Sequence, residues 1–395
     1  MREKSFFFLT GKNERKTVLE ALYANILNVT WQQAVMWLIG AVLIYLAIKK
    51  DMEPTLLLPM GFGTIMVNIP MSGAITQIVG GHEEVGALSE LFNAGISNEL
   101  FPLILFIGVG AMIDFGPVLS NPKLMIFGAA SQFGIFFTLC VAAMFFDPKV
   151  AASIGIIGAA DGPTAIVVAN KLIGIEHNIT GAIMVAAYSY MALVPIIQPP
   201  VIKALTTKKE RLIRMRYDSG TVSKTTRILF PIIITLVAGL VAPSSVSLVG
   251  FLMFGNLLRE CGVLNSLSET ASKVLANLIT LFLGITIACQ MEASKFLTPD
   301  TLLVLGLGLF AFVFDTAGGV LVAKVMNIFL PEGKKLNPMV GACGISAFPM
   351  SGRVVHKMGL KEDPQNFLLM HAMGVNVSGQ VASVIAGGLI LNFFM

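Results

Sequence analysis

Charge is what this chain lacks. Only 13% of its 395 residues are charged, against 55% hydrophobic, whereas a soluble domain carries about 25% charged residues. The deficit excludes an ordinary soluble globule and points to a polytopic membrane protein. The net charge of +4 gives no nucleic-acid signal, because the basic residues fall in loops between apolar runs. Cysteine is scarce as well. Cys140, Cys261, Cys289 and Cys343 are scattered with no C-x-x-C, so they read as apolar fillers, not as a disulfide frame or zinc ligands. The four histidines show no metal-ligand spacing. No P-loop is present, which excludes ATP as the direct energy source. A nucleophile elbow is missing too, and so is the lysine of an Ala-Met-Lys-Met biotin-attachment motif. Met1 to Asn28 is mostly amphipathic and shows no cleavable signal peptide.

Glycine, in contrast, is plentiful, with 38 residues; small residues allow close packing and breaks in membrane helices. Apolar runs fall near 32–48, 55–70, 100–118, 123–146, 177–199, 228–242, 244–258, 268–290, 300–325 and 366–394. Several are short of the ~20 residues a crossing needs. Two further segments read as re-entrant hairpins: 150–171, centred on Asp161-Gly162-Pro163, and 337–355, with Gly341, Gly344, Pro349 and Gly352. The fold expected is an all-α polytopic membrane protein of two inverted repeats. Each repeat would hold about five transmembrane helices and one re-entrant broken hairpin, an architecture of secondary transporters. Phe62-Gly63 and Phe254-Gly255 echo one another across the halves. The divisions are an N-terminal arm 1–31, a first membrane repeat 32–202, a basic cytoplasmic loop 203–227 and a second membrane repeat 228–395.

Loop charge orients the chain. The stretch 203–227 is strongly basic and belongs in the cytoplasm. Counting crossings from it puts Lys49-Lys50, Lys123, Arg259, Lys334-Lys335, Arg353 and Lys357 inside as well. The N-terminus falls outside by this count, although Arg2, Lys4, Lys12, Arg15 and Lys16 argue for a cytoplasmic arm.

GIIGAADGPTAI, residues 155 to 166, sets Asp161 beside Gly162-Pro163 inside an apolar run. A Gly-Pro step cannot continue a regular helix, so backbone groups come free at membrane depth. An ionisable residue there is a cation or proton site by default, since a buried charge costs roughly 2.5–3.5 kcal/mol on insertion scales. The same aspartate also suits helix capping, and both roles can hold together. The second hairpin, NPMVGACGISAFPMSGRVV, holds Asn337, Ser346, Ser351 and Arg353. Neutral oxygens and freed carbonyls are hard ligands suited to a small cation such as Na+. Arg353 can clamp a carboxylate or carbamate with two parallel hydrogen bonds or serve as a positive-inside anchor; Asn337 can equally start an Asn-Pro turn.

In the last run, Asn376, Gln380 and Ser383 share one helical face, which suits a cation path or hydrogen bonds between helices. Tyr188 and Tyr190 occupy the corresponding run of the first half and offer hydroxyls, or interfacial aromatics. Asp315 is a second mid-span acid without an evident role, and Asp114 reads as a span-boundary residue.

GAADGPTAI, FIGVGAMIDFGPVLSNP, AAYSYMALVPIIQPP, GISAFPMSGRVVHK and HAMGVNVSGQVASVIAGG resemble the beta subunit of the sodium-pumping biotin-dependent decarboxylases. That family includes oxaloacetate, methylmalonyl-CoA, glutaconyl-CoA and malonate decarboxylase pumps. The resemblance runs from about Glu53 to the C-terminus. It implies a carboxybiotin decarboxylase in the bacterial cytoplasmic membrane, a multi-pass subunit that consumes a proton and exports Na+. Carboxybiotin would arrive on a partner, which fits the missing biotin motif. The implied partners are a carboxyltransferase alpha subunit, a biotin carrier subunit, a small membrane-anchoring subunit, further copies of the chain and the lipid bilayer, with no nucleic acid. By the family pattern Asp161, Asn337, Gly341, Ser346, Arg353, Asn376 and Ser383 are functional. Asp161, Asn337, Ser346, Asn376 and Ser383 would bind Na+, with Asp161 and Arg353 catalytic. Arg353, Gly341, Tyr188 and Tyr190 would meet the substrate. The competing expectation is a Na+-coupled carboxylate symporter or Na+/H+ antiporter of similar architecture.

Overall fold

The computed structural model describes residues 26–79, 81–175, 177–215 and 222–395. Most of the N-terminal arm therefore lies outside the described residues. The chain is almost wholly helical, and α1 (Trp31–Lys50), α2 (Pro54–Val67) and α3 (Leu100–Met112) come first. Then follow α4 (Met125–Ser131) and α5 (Phe133–Ala142), which make one span broken at Gln132, and α6 (Pro148–Gly155), α7 (Gly162–Ile173) and α8 (Asn178–Leu205). The second half holds α9 (Lys224–Val241), α10 (Val246–Glu260), α11 (Ala276–Ile287), α12 (Pro299–Phe329), α13 (Met350–Glu362) and α14 (Leu369–Phe394). Among the described residues, seven helical stretches are long and apolar enough to cross a membrane. The sequence did not announce a helical segment, Ala87–Ser97, which meets α3 at a 63° bend. Nor did it announce the short exposed hairpin β1 (Gln77–Val79) and β2 (His82–Glu84).

Burial sorts the helices. α1 and α9 expose Leu38, Val42, Leu236 and Leu240, as helices facing lipid tails would. α8, α12 and α14 form the centre with the broken segments packed between them. Contacts repeat across the halves. The second helix of each half crosses the third of the other through its Phe-Gly pair. A Cβ on Gly63 would lie 2.6 Å from Ala288 at the end of α11, and one on Gly255 would lie 2.0 Å from the Ile107 carbonyl of α3. Both third helices are preceded by a π-helical turn, Asn93–Ser97 and Thr270–Leu275. Both broken segments contain a 3-10 stretch, Ile156–Ala159 and Pro338–Gly344, and each rests on a fourth helix of the opposite half. Gly158 abuts Asp315 of α12, and Gly344 abuts Ser131 of α4.

Basic residues gather at one end of the bundle. Lys50, Lys203, Arg353 and Lys357 line one cavity there. Lys324 bonds the Leu205 carbonyl at 2.9 Å and Glu210 at 3.3 Å, and Arg211 pairs with Glu362 at 2.8 Å. Asp114, read as a boundary residue, meets Arg227 at 3.6 Å. This is the end that the positive-inside effect would favour for the cytoplasm. At the other end of α8, Lys171 and Lys295 are paired with Glu99 and Glu292.

Candidate functional site

The break after Ile156–Ala159 creates a new helix start at Gly162-Pro163, and Asp161 caps it. Its carboxylate accepts the Thr164 amide at 3.3 Å and the Thr164 hydroxyl at 2.8 Å. From α14, Gln380 Nε2 reaches it at 3.2 Å and Ser383 Oγ at 3.1 Å. Asp161 is only 3% exposed, and among the described residues no basic side chain pairs with it. Burying a carboxylate without a cation is costly. Four donors offset part of that cost, and a bound cation would offset far more.

The second broken segment completes the cluster. Its stretch Pro338–Gly344 leads to Ser346, whose hydroxyl contacts that of Ser383 and lies 3.3 Å from the Gly379 carbonyl. The Ser346 amide donates to the Ala159 carbonyl at 2.9 Å, so the two breaks touch directly. Asn376 donates to the Cys343 and Ile345 carbonyls at 3.2 and 2.7 Å, while its Oδ1 is buried without a partner. Gly379 is needed for this approach, because a Cβ there would lie 2.3 Å from the Gly344 carbonyl. The result is an oxygen-rich group, the Asp161 carboxylate with the hydroxyls of Thr164, Ser346 and Ser383, beside the Gln380 amide nitrogen. Such hard donors suit Na+.

The structure divides the sequence-predicted residues. Asp161, Ser346 and Ser383 meet, and Asn376 braces the carbonyls beside them. Asn337 stands apart at the basic end. It caps the 3-10 stretch, and its amide donates to the Arg211 and Ile213 carbonyls, each at 2.9 Å. Gly341 is a crossing point with α12, where a Cβ would lie 2.1 Å from the Gly319 carbonyl. Tyr188 packs its ring on Gly162 beside Asp161, its hydroxyl buried and unpartnered. Tyr190 donates to the Leu305 carbonyl. Arg353 is exposed on α13 at the basic end, lining a cavity of about 370 Å³ with Lys50, Lys203 and Lys361. Thr164 was missed by sequence reasoning, although its place three residues after Asp161 is the capping-box spacing. Gln380 was legible in the polar stripe, but its link to Asp161 required the tertiary structure.

Asp315 also finds a place. It is fully buried on α12, its Oδ1 accepts the Ile135 amide at 3.0 Å, and it satisfies the helix start that follows the break at Gln132. Its Oδ2 has no partner.

These features define a class: a helical membrane protein with a buried, oxygen-rich carboxylate centre and a cationic cavity at its basic end. The family model described as "Na+-transporting oxaloacetate decarboxylase beta subunit" matches residues 32–394. The chain is 47% identical over 378 residues to the methylmalonyl-CoA decarboxylase subunit beta of Propionigenium modestum, covering 91% of this chain and 94% of that one. It is 44% identical over 418 residues to the oxaloacetate decarboxylase beta chain of Klebsiella pneumoniae, covering 92% and 95%. It is 47% identical over 363 residues to the glutaconyl-CoA decarboxylase subunit beta of Acidaminococcus fermentans, covering 92% and 93%. The chain belongs to this family of beta subunits of Na+-transporting decarboxylases, and it is a multi-pass protein of the bacterial membrane. A free-standing symporter or antiporter is not favoured.

Proposed function

We propose that this subunit decarboxylates carboxybiotin at its cytoplasmic end and couples the reaction to Na+ export through Asp161. Carboxybiotin is a carbamate. When its N–C bond breaks, the electron pair returns to the ureido nitrogen, CO2 departs and one proton is taken up. Arg353 holds the carboxylate by two parallel bonds. Na+ is the cargo, and its ligands are Asp161, Ser346 and Ser383, with Thr164 added. Asn376 supports this set, and Asn337 fastens the far limb of the same segment. A proton and Na+ compete for Asp161, so cation release and proton uptake become linked events. Tyr188, against Gly162, borders that exchange, whereas Gly341 and Tyr190 serve packing.

The reading rests above all on the meeting of the two broken segments at Asp161, Ser346 and Ser383. The reciprocal crossings of second and third helices favour two inverted repeats, 32–202 and 228–395, joined by the loop 203–227. The segments 150–171 and 337–355 are then re-entrant from opposite faces. Biotin arrives on a carrier subunit charged by a carboxyltransferase alpha subunit, with a small membrane subunit and further copies of this chain completing the complex. The test is 22Na+ uptake into inverted vesicles by the complete complex carrying Asp161→Asn. Loss of uptake and of Na+-dependent decarboxylation, with carboxyl transfer to biotin intact, is expected. Normal pumping by the folded variant would falsify the assignment.

A further inference from the structure

Arg353 stands between two recesses. The one toward Lys50 and Lys203 is rimmed with charge. The other, of about 460 Å³, is walled by Met112, Phe348, Pro349, Leu369 and Met373, with His356 beside Arg353 and with Lys357, like Arg353, shared between the two recesses. Its volume lies in the range of small-molecule sites, roughly 300–1,000 Å³. His356 contributes a second signal. Its ring leans on Phe367, 6.2 Å between ring centres, yet its Nδ1 is buried without a hydrogen-bond partner. A polar atom left unmatched beside an apolar wall is a cost that a ligand could remove.

We propose that this second recess seats the bicyclic ring of carboxybiotin. The sulfur-containing ring lies against the methionine, phenylalanine and proline wall, the carboxylate is held by Arg353, and His356 supplies a hydrogen bond to the ureido group. The inference rests on the functional reading above. The ligand's chemistry selects the recess, since a carboxylated bicycle is apolar except along one edge. The other cavity adds Lys50, Lys203 and Lys361 to the shared Lys357 and would offer the ring strongly hydrated point charges, while the methionine side chains of this recess adapt to irregular apolar shapes. Position adds a reason. The Phe348 amide donates to the Ser346 carbonyl at 2.5 Å, so a ring against Phe348 bears on the residue whose hydroxyl touches Ser383.

The experiment uses the complete complex in lipid vesicles with free carboxybiotin as the probe, measuring CO2 release. Met112→Trp and Leu369→Trp each fill the recess from its open side, and His356→Ala removes the polar contact. Each tryptophan variant should raise KM for carboxybiotin at least tenfold, with the Na+ concentration for half-activation within twofold of wild type. His356→Ala should raise KM about fivefold. Lys203→Gln, on the other cavity, should change KM less than twofold. The seat is overturned if both folded tryptophan variants keep a KM within twofold of wild type, or if Lys203→Gln raises it as much as they do. Unaltered Na+ pumping by Asp161→Asn would instead overturn the functional reading, whatever the recess variants do. No decarboxylation of free carboxybiotin by the wild-type complex would overturn both.

Discussion

The two broken segments are built alike and charged differently. The first is buried throughout from Val150 to Ala169 and carries its acid at the very break. The second is buried from Pro338 to Ala347, then emerges, so that its cation, Arg353, is exposed on α13. A charge held in a dry break suits an ion that must shed water. A charge at an aqueous mouth suits an anionic ligand arriving from the cytoplasm. The difference supports the proposed division of labour, and Ser346 joins the two, seven residues before Arg353 in the same segment and in contact with Ser383.

The sharpest way to break this comparison is to remove the buried charge. Asp161→Asn should lower Na+ transport and Na+-dependent decarboxylation by at least about 100-fold, as loss of a proton-exchanging group does, while partner-catalysed transfer to biotin continues. Arg353→Lys acts at the other segment. A point charge replaces the fork, so KM for carboxybiotin should rise about tenfold, equivalent to about 1.4 kcal/mol, with half-activation by Na+ unchanged. If Na+ affinity falls instead, the division of labour is wrong.

Ser383→Ala probes the junction. Losing one hydroxyl bond to a charged group costs about 1.5 kcal/mol or more, so the Na+ concentration for half-activation should rise roughly tenfold at near-normal kcat. Thr164→Val should do less, since the Thr164 amide still caps Asp161; a shift of about threefold is expected, equivalent to ~0.6 kcal/mol.

The smallest effect concerns the basic loop beside the second segment. Burial pushes the Glu210 carboxyl up, but the Thr207 amide and hydroxyl and the Lys324 ammonium outweigh it and hold it below the usual carboxylate range. A depressed carboxyl stabilises the fold above its unfolded pKa, and that contribution is lost as pH falls through the folded value. Amide exchange at Thr207 and Glu210 should therefore be slower in wild type than in Glu210→Gln at neutral pH. The two should converge as the solution is acidified below pH ~4.

Much of this was legible because membrane segments announce themselves. Runs of apolar residues gave the helices, the Gly162-Pro163 step gave the break at Asp161, and Gly341, Gly344, Pro349 and Gly352 marked the second segment. Basic loops gave one charged end, which the pairing of Lys324 with Leu205 and Glu210 joins in space. What stayed hidden depends on three dimensions. Asn337 has the composition of a ligand, but the loop carbonyls that occupy its amide come from Arg211 and Ile213, over a hundred residues earlier in the chain. Asp315 has no local pattern, because the backbone amide it satisfies belongs to Ile135. Ala87–Ser97 is short and mixed in polarity, and its π-turn has no sequence period to betray it.

The membrane depth proposed for Asp161 has an electrical consequence. Pro148–Ala159 and Gly162–Ile173 each hold 12 residues, about 18 Å of helix at 1.5 Å per residue. A break between two such arms falls near the middle of a hydrocarbon layer about 30 Å thick. One elementary charge crossing the whole layer exchanges about 2.3 kcal/mol with the field per 100 mV. A cation entering halfway therefore exchanges roughly half of that, about a sevenfold change in apparent affinity. Occupancy of this one carboxylate should thus respond to membrane voltage even while the protein stands still.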